Sequence, residues 1–343
     1  MKKKIRVVQS GVGVIGSGAV KAVMQRPGLE IVGAVDTDEH KIGRDLGEVV
    51  GLDRVLGITV HHDIREAIPA GGADIVLHSA GPSLGEAQKE ILPAIEAGLP
   101  VVSSCEELCY PFHTDAALAA KIDAAARKNN VVVLGVGVNP GFAMDKLVLV
   151  LASACQQVEK VRVLRVVDAS RRRLHLQKKA GVGLTIEEFS RELEAGTVRH
   201  HGMDGSVWML ADQLGIPVDR VEEAVAPIVA EIPMKSQYFA VKAGQVKGIR
   251  QVALGFKQSN ENIRLELEMY LGAAESLDSV KITGMPSLEM KIPGGIHGDI
   301  ATAAILVNSI PAAFKLEPGL RTAVDVPMSF WPGGELAMKA SAE

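Results

Sequence analysis

The stretch KIRVVQSGVGVIGSGA, residues 4–19, joins a short β-branched run to a glycine-rich turn. Its residues 5–8 predict a buried strand, and the composition of residues 19–24 predicts a helix after the turn. A second β-branched run, residues 31–35, ends in Asp36. Strand, glycine turn, helix, strand and acid within about 30 residues form the sequence pattern of a dinucleotide-binding βαβ unit.

Each residue of the turn has a physical role in such a unit. Gly11 permits the tight turn, Gly13 lets the backbone approach a pyrophosphate, and Gly16 lets the helix pack close to the strand. Val14 and Ile15 begin a helix whose N-terminus offers amide N–H groups and a positive dipole end to the phosphates. The turn therefore predicts NAD or NADP as cofactor. The alternative is a glycine turn that only serves packing.

Asp36 bears on which dinucleotide binds. It lies 20 residues beyond Gly16, where its carboxylate can accept hydrogen bonds from the adenosine ribose hydroxyls. An acid at this position repels a 2′-phosphate and favours NAD, whereas Lys41 or Arg44 would accommodate NADP. The sequence favours NAD and leaves NADP open.

Composition limits the kinds of partner. The chain has 343 residues, enough for two domains, and its 47% hydrophobic and 23% charged residues are ordinary for a globular protein. A net charge of −4 and an aromatic share of 3% argue against a nucleic-acid partner. The apolar runs are interrupted well before the roughly 18 residues of a membrane span. We therefore expect a protein with neither a nucleic-acid nor a membrane partner.

The cysteines and a histidine pair give no support to a metal site. Cys105, Cys109 and Cys155 are odd in number and lack C-x-x-C spacing, which opposes a disulfide framework or a zinc site and fits a reducing cytoplasm. His61 and His62 are neighbours on a predicted strand, so they point to opposite faces, and no third ligand has suitable spacing. We expect no metal.

The chain divides into two patterns. Residues 1–142 alternate predicted strands and helices, which predicts an α/β fold with a doubly wound parallel sheet, the Rossmann arrangement. Residues 143–297 are dominated by strands with turns between them, which predicts a second α+β domain with a mainly antiparallel sheet. We expect residues 298–343 to complete the first domain, with Asp299 as the N-cap of a helix at residues 300–310. The second domain's predicted strands are residues 161–167, 225–233, 236–242, 247–257 and 262–271, and its predicted helices are residues 186–194 and 206–214.

Ligands bind outside the carboxyl ends of the strands in such a parallel sheet. Three strand ends besides the glycine turn supply candidates, at residues 79–83, 103–111 and 135–142. The candidate cofactor contacts at these ends are Ser79, Ala80, Gly81, Ser103 and Asn139.

Two charged stretches are candidates for substrate chemistry. Glu106 and Glu107 follow a predicted strand, where a carboxylate can move a proton or hold a protonated imine; the alternative is two solvated glutamates at a helix start. Residues 168–179 hold three arginines and two lysines that can clamp a carboxylate or a phosphate. His175 lies in that run, which is otherwise a solvated loop. The sequence lacks the Ser-His-Asp, H-E-x-x-H and P-loop signatures.

Four motifs together resemble one family. They are the glycine turn after residues 4–7, SSCEELCYP at residues 103–111, GVNPGF at residues 137–142, and GGIHGDIAT at residues 294–302. With them the chain resembles the 2,4-diaminopentanoate dehydrogenases and native amine dehydrogenases, which share a dihydrodipicolinate-reductase-like N-terminal domain. The resemblance extends from residue 4 to about residue 328.

The resemblance implies a homodimer that performs NAD(P)-dependent oxidative deamination. The substrate would be an amine or a diamino acid such as 2,4-diaminopentanoate, and the reverse reaction aminates a ketone with ammonia. It places the family's catalytic carboxylate at Glu106 rather than Glu107, because the lysine of homoserine-dehydrogenase-like relatives falls on Glu106. The implied substrate contacts are Glu107, Asn139, Pro140, Phe142, Arg171, His175, His297 and Thr302.

Other functions remain open from the residues. One is an imine or aldehyde reductase of amino-acid metabolism, like dihydrodipicolinate reductase or homoserine dehydrogenase, and another is a non-catalytic NAD(P)-binding sensor. His200 and His201 are followed by Gly-Met-Asp-Gly, unlike the Lys-x-Asp-x-Pro-Ser-Gly-Thr stretch of dihydrodipicolinate reductase. Residue 106 is glutamate where homoserine dehydrogenase has lysine, which argues against the hypothesis that this protein oxidises an alcohol.

Overall fold

The computed structural model describes residues 4–328 and residue 330, and the chain forms two units. The first unit consists of the chain up to Phe142 together with the segment that begins at His297. The second unit is Ala143–Ile296.

A seven-stranded parallel sheet lies at the centre of the first unit. The strand order is β15-β6-β5-β4-β1-β2-β3, so the chain runs outward from β1 in one direction and then from β4 in the other. This is the predicted doubly wound arrangement, and β1 and β4 flank its topological switch point, where ligands bind. The strands are β1 Ile5–Ser10, β2 Leu29–Val35, β3 Val60–His61, β4 Ile75–His78, β5 Val101–Ser103, β6 Val132–Gly135 and β15 Gly319–Arg321.

Helices cover both faces of this sheet. Side chains alternate along β1, so that Val7 belongs to the apolar core on one face and Val8 to the core on the other. Burial on both faces explains why the strands read as continuous apolar runs. The helices are α1 Val14–Met24, α2 Leu46–Val49, α3 Ile64–Ala67, α4 Leu84–Glu96, α5 Ala116–Lys128, α10 Gly298–Asn308 and α11 Ile310–Ala313.

Helix α10 packs against α1, and a Cβ atom on Gly18 would lie 3.0 Å from Cβ of Ala303. The predicted cap of this helix was wrong. The helix begins at Gly298 and its N-cap is His297, whose Nδ1 lies 3.5 Å from the Ile300 amide. Asp299 lies in the first turn, where the helix dipole also favours an acid, and the sequence does not separate these two positions.

The second unit contains a six-stranded sheet with the order β14-β13-β7-β12-β11-β8. Every neighbouring pair is antiparallel except β7 with β12, which confirms the predicted class. A separate two-stranded ribbon pairs β9 with β10. The strands are β7 Gln157–Asp168, β8 Arg220–Val229, β9 Met234–Lys235, β10 Ala240–Val241, β11 Val246–Lys257, β12 Asn260–Tyr270, β13 Leu277–Met285 and β14 Leu288–Pro293.

The long strands predicted at residues 225–233 and 236–242 were wrong in extent. Strand β8 ends at Val229, and only two short strands follow before Val246; Pro233, which cannot donate to a ladder, lies in this interval. The sequence also did not predict β13 and β14. The helices of this unit are α6 Lys146–Ala152, α7 Leu174–Lys179, α8 Ile186–Glu194 and α9 Met203–Leu214, with a 3-10 turn at Ala169–Arg171.

One buried ion pair lies between neighbouring strands of this sheet. Arg165 and Asp278 are opposite each other on β7 and β13, and both side chains are almost fully buried. The guanidinium also donates to the carbonyl of Ile296, whose amide donates to Asp278 at 2.7 Å. These bonds satisfy both buried charges. Removal of one partner from a buried ion pair lowers the free energy of unfolding by roughly 3–5 kcal/mol.

Among residues 4–328 and 330, no helix has the length and apolar composition needed to cross a membrane. Within the same residues, no cluster of three or more His, Cys, Asp or Glu side chains has the arrangement of a metal site.

Candidate active site

The glycine turn between β1 and α1 is tightly packed at two positions and open at a third. Gly11 has a φ of 80°, and a Cβ there would lie 2.7 Å from the carbonyl carbon of Ser79. A Cβ on Gly16 would lie 1.9 Å from the carbonyl oxygen of Gly11. A Cβ on Gly13 would meet no atom within 4 Å. The open side of the turn at Gly13 is therefore where a phosphate can approach the backbone.

The N-terminus of α1 is suited to an anion. Its N-cap is Gly13, no side chain caps it, and its first turn contains no acidic residue. The first amides of a helix lack intrahelical acceptors and carry the positive end of the dipole. Val14, the first helical residue, is half exposed. A pyrophosphate can therefore bind at this terminus.

Asp36 follows β2 and holds the glycine turn in place. Its carboxylate accepts from the amides of Val12 at 2.7 Å and Asp38 at 2.9 Å, and from Nζ of Lys41 at 2.9 Å. Burial alone would raise the pKa of Asp36, but these three donors together hold that pKa below its ordinary value. The residue is therefore an anion at neutral pH, as a ribose-binding carboxylate must be.

A cleft of about 440 Å³ opens beside the turn. Its residues fit one end of a dinucleotide: an open glycine backbone for phosphate and an ionised carboxylate for ribose. The sequence missed the contributions of His62, Lys89 and Glu90, since a sequence does not tell which face of a helix or which loop turns toward a cleft. Among the residues that line it are Gly11, Gly13, Asp36, Lys41, His62, Ser79, Ala80, Lys89 and Glu90.

Buried polar contacts join the ends of β1 and β4. The Ser79 amide donates to the carbonyl of Ser10 at 2.8 Å, and its hydroxyl donates to the carbonyl of Gly11 at 3.0 Å. Nε2 of Gln9, which is fully buried, lies 3.0 Å from the same hydroxyl. Gln9 was missed because a polar residue within an apolar strand gives no sign of its partner. Gly81 follows with a φ of 142°.

Glu106 and Glu107 lie in the turn that follows β5. The Glu107 amide donates to the carbonyl of Pro82 at 3.1 Å, and its Oε2 accepts from the amide of Leu84 at 2.8 Å. Leu84 is the first residue of α4, whose N-cap Ser83 makes no side-chain cap bond. Glu107 therefore caps α4, an arrangement that stabilises a helix by roughly 1 kcal/mol.

The same turn is held on its other side by β6 and the loop after it. A Cβ on Gly135 would lie 2.3 Å from the carbonyl oxygen of Leu108, and a Cβ on Gly141 would lie 3.2 Å from Sγ of Cys109. The overlap at residue 135 requires glycine, and at residue 141 the φ of 115° favours it. Glu106 is half-buried on this turn, and its carbonyl accepts from the Cys109 amide at 3.2 Å. The backbone that carries Glu106 is thus fixed from both neighbouring strands.

The thiol beside Glu106 is inert. Cys105 is buried and its Sγ donates to the carbonyl of Pro82 at 3.1 Å. Burial first, and then the nearby charges of Glu107 and Glu106, raise the pKa of Cys105 to about 12. The thiolate needed for nucleophilic chemistry is absent at neutral pH, so Cys105 supplies no nucleophile to this turn.

Comparison with known proteins agrees with this geometry. Residues 142–337 match the family model of the 2,4-diaminopentanoate dehydrogenase C-terminal domain, and residues 5–133 match that of the dihydrodipicolinate reductase N-terminus. The chain is 31% identical to the 2,4-diaminopentanoate dehydrogenase of Acetoanaerobium sticklandii over 341 residues, covering 95% of this chain and 94% of that one. The chain belongs to the 2,4-diaminopentanoate dehydrogenase family.

Two further relatives are amine dehydrogenases. The protein from Streptomyces virginiae is 25% identical over 353 residues, which cover 94% of this chain and 96% of its own. The solved structure from Mycobacterium smegmatis shares the fold with a TM-score of 0.86 at 23% identity, covering 97% of this chain and 99% of that one. As a member of the 2,4-diaminopentanoate dehydrogenase family, the chain is an NAD(P)-dependent oxidoreductase of the amine dehydrogenase type, and its cofactor is a nicotinamide dinucleotide.

The remaining candidate residues of this family member divide between the two units. In the first unit, Asn139 and Pro140 are buried, Phe142 is half-buried, and all three follow β6. His297 is exposed at the start of α10, and Thr302 is half-buried within that helix.

Arg171 and His175 belong to the second unit. Arg171 ends the 3-10 turn and His175 lies in α7, and both are exposed. Fully buried Gln177, which the sequence did not single out, donates from Nε2 to the carbonyl of Arg172 at 2.9 Å and accepts from the Ser236 hydroxyl at 2.6 Å. It thereby fixes the backbone of the arginine run.

The glycine turn yields a matched pair of variants. Gly13→Ala places a methyl group in open space at a φ of −79°, which alanine adopts freely, so the thermal midpoint should not change while NAD(H) affinity falls at least about tenfold. Gly16→Ala forces the methyl group onto the Gly11 carbonyl and should lower the midpoint as well. Calorimetry and reduced-nicotinamide fluorescence measure the two quantities. Wild-type NAD(H) affinity in Gly13→Ala would show that the phosphate does not approach there.

Proposed function

We propose that this protein catalyses the NAD(P)-dependent oxidative deamination of a small amine and the reverse reductive amination of a ketone. Three observations support this: the family membership, a cleft that fits a dinucleotide, and a carboxylate fixed on the neighbouring strand end. The observation that carries the residue assignment is that Glu107 caps α4 through the Leu84 amide. The cap gives Glu107 a structural role, which supports our proposal that Glu106 is the proton-transfer group.

The overall reaction balances as follows. An alkylammonium ion, oxidised nicotinamide cofactor and water give a ketone, an ammonium ion, reduced cofactor and a proton. The bound cofactor supplies the hydride acceptor. The C–H bond at the amine-bearing carbon breaks, the C=N bond forms, and water then replaces nitrogen at that carbon.

Glu106 would act on the protons of this sequence. As a carboxylate it accepts a proton from the substrate ammonium, because a nitrogen must have a lone pair to form the C=N bond. That proton passes to solvent and is the one released in the overall reaction. As an anion again, Glu106 stabilises the positive charge of the iminium. It then takes a proton from the attacking water and passes it to the departing nitrogen. The rigid turn holds it in one place through these steps, which limits the cost of reorganisation.

The substrate we propose is a diamino acid of the 2,4-diaminopentanoate type, which the 31% identical relative is named for. Arg171, Arg172 and Arg173 supply cations that can bind its carboxylate. The alternative is a simpler amine without a carboxylate, as the 25% identical amine dehydrogenase suggests. A panel of diamino acids and simple amines, each with NAD and with NADP, separates the two alternatives when the reduced cofactor is followed by absorbance. If the enzyme acts on diamino acids, kcat/KM should be at least about tenfold higher for an amine that carries a carboxylate. If it acts on simple amines, the carboxylate should give no such increase.

We further propose NAD as the preferred cofactor. The ionised Asp36 repels a 2′-phosphate, but Lys41 at 2.9 Å offsets part of its charge, so we expect the preference to be moderate. We also propose that residues 143–297 form the substrate and dimerisation domain, that residues 1–142 with 298–343 form the dinucleotide domain, and that the protein is a cytoplasmic homodimer. Of these ranges, residues 1–3, 329 and 331–343 lie outside the residues that the structure describes. Light scattering reads the oligomeric state.

Substitution at the two glutamates tests the proton-transfer assignment. Glu106→Gln removes the proton acceptor and should lower kcat at least about 100-fold, while NAD(H) binding stays as in the wild type. Glu107→Gln keeps an oxygen for the Leu84 amide and should retain kcat within about threefold. Steady-state amine oxidation and fluorescence titration of NADH give these values. The reverse pattern, with Glu107→Gln inactive and Glu106→Gln active, would exchange the two roles.

Substitution at Asp36 tests the cofactor preference. Asp36→Ala removes both the ribose acceptor and the repulsion of a 2′-phosphate, so the ratio of kcat/KM for NAD to that for NADP should fall at least about tenfold. The ratio cancels any general distortion of the turn caused by losing the Val12 contact. An unchanged ratio would contradict the role of Asp36 in cofactor choice.

A further inference from the structure

Three polar side chains behind the Glu106 turn form a hydrogen-bonded chain that starts at the dinucleotide cleft. Glu90 of α4 lines the cleft, and its Oε2 lies 3.2 Å from Nε2 of His78, the last residue of β4. Nδ1 of His78 lies 2.8 Å from Oγ of Ser103, the last residue of β5. That oxygen also accepts from the Cys105 amide at 3.1 Å. The chain therefore ends on the residue directly before Glu106.

This chain is shut off from water over most of its length. His78 is 1% exposed and Ser103 is 0% exposed, whereas Glu90 reaches the cleft with about a third of its side chain exposed. A buried polar group costs free energy unless it is hydrogen-bonded, and water cannot replace a partner lost there. Apolar residues would fill this space without that cost, and the amine chemistry does not use the imidazole. We therefore expect the buried chain of Glu90, His78 and Ser103 to have a function that apolar residues would not provide.

With an ionised Glu90 and a neutral imidazole, each hydrogen bond of the chain has one direction. The carboxylate of Glu90 only accepts, so Nε2 of His78 donates to it. In the neutral imidazole Nδ1 is then the acceptor, and the Ser103 hydroxyl donates to it. The lone pair of that hydroxyl accepts the Cys105 amide. Each donor meets an acceptor, and the orientation of the ring fixes the orientation of the hydroxyl.

We propose that His78 is a positioning residue for Glu106, a role that rests on the proposed function of that glutamate. Its ring orients the Ser103 hydroxyl, which holds the Cys105 amide, and its own carbonyl accepts the Ser104 amide at 2.9 Å. Glu90 anchors the ring from the cleft side. Misplacement of a reacting group by about 1 Å costs up to about 100-fold in rate, so supporting contacts of this kind affect turnover.

Two substitutions at His78 separate the halves of the chain. The amide of asparagine occupies roughly the place of Nδ1, so His78→Asn keeps an acceptor for Ser103 and loses Glu90. The amide of glutamine occupies roughly the place of Nε2, so His78→Gln keeps Glu90 and loses Ser103. We expect kcat for the amine to be about three- to tenfold lower in His78→Gln than in His78→Asn, the size of one hydrogen bond.

The rate is expressed per NADH-binding site, so that misfolded protein does not count. The dissociation constant of NADH should stay within about twofold of the wild-type value in both variants, which a general loss of structure would not allow. Equal kcat values for the two variants, or a loss confined to NADH affinity, would overturn the proposal.

Hydrogen exchange gives a readout that needs no turnover. Ser103→Ala removes a single oxygen and should speed exchange of the Cys105 amide at least tenfold, and His78→Gln should speed it more than His78→Asn. Absence of amine oxidation by the wild type would refute the proposed function but leave this readout intact. If neither His78 variant folds, Ser103→Ala decides, and wild-type exchange together with wild-type kcat in that variant would refute the positioning role.

Discussion

The close approach of Gly11 and Ser79 is the constraint on which the site depends. These residues directly follow neighbouring strands at the switch point of the sheet, where a Cβ on Gly11 would lie 2.7 Å from the carbonyl carbon of Ser79. The contact fixes the floor of the dinucleotide cleft. It also fixes the start of the loop that leads to Pro82, whose carbonyl accepts from the Glu107 amide and the Cys105 thiol. The dinucleotide cleft and the turn that carries Glu106 and Glu107 therefore both depend on this contact.

The site divides its carboxylates by environment. Asp36 is surrounded by donors that lower its pKa, Glu107 accepts the first amide of α4, and Glu90 accepts from a buried imidazole. Each of these holds backbone or ring in place, so each restricts where the next element can lie. In the proposed mechanism, placement and electrostatics at Glu106 supply the rate advantage, while the cofactor carries the redox chemistry.

Features set by local sequence were predictable, and features set by distant contacts were not. The turn from Gly11 to Gly16 and the carboxylate of Asp36 depend on spacing within one βαβ unit, so the sequence contains all that is needed. The cap formed by Glu107 depends on Leu84, 23 residues away, and the chain through His78 joins helix α4 to the ends of strands β4 and β5. Strand β14 alternates apolar and charged residues, a strand pattern that the sequence analysis left unused. In β13 the buried position Asp278 is polar, and its partner Arg165 lies on a distant strand.

Transfer of the substrate's hydrogen to the cofactor is the measurement that tests the account most directly. The protein is mixed with NAD and an amine deuterated at the carbon that bears nitrogen, and the reduced cofactor and products are analysed by mass spectrometry. The account predicts that deuterium appears in the reduced nicotinamide, with ketone and ammonium formed in equal amounts. Reduced cofactor without deuterium, or no reduced cofactor with any amine or diamino acid, would contradict the assignment of this chain as an amine dehydrogenase.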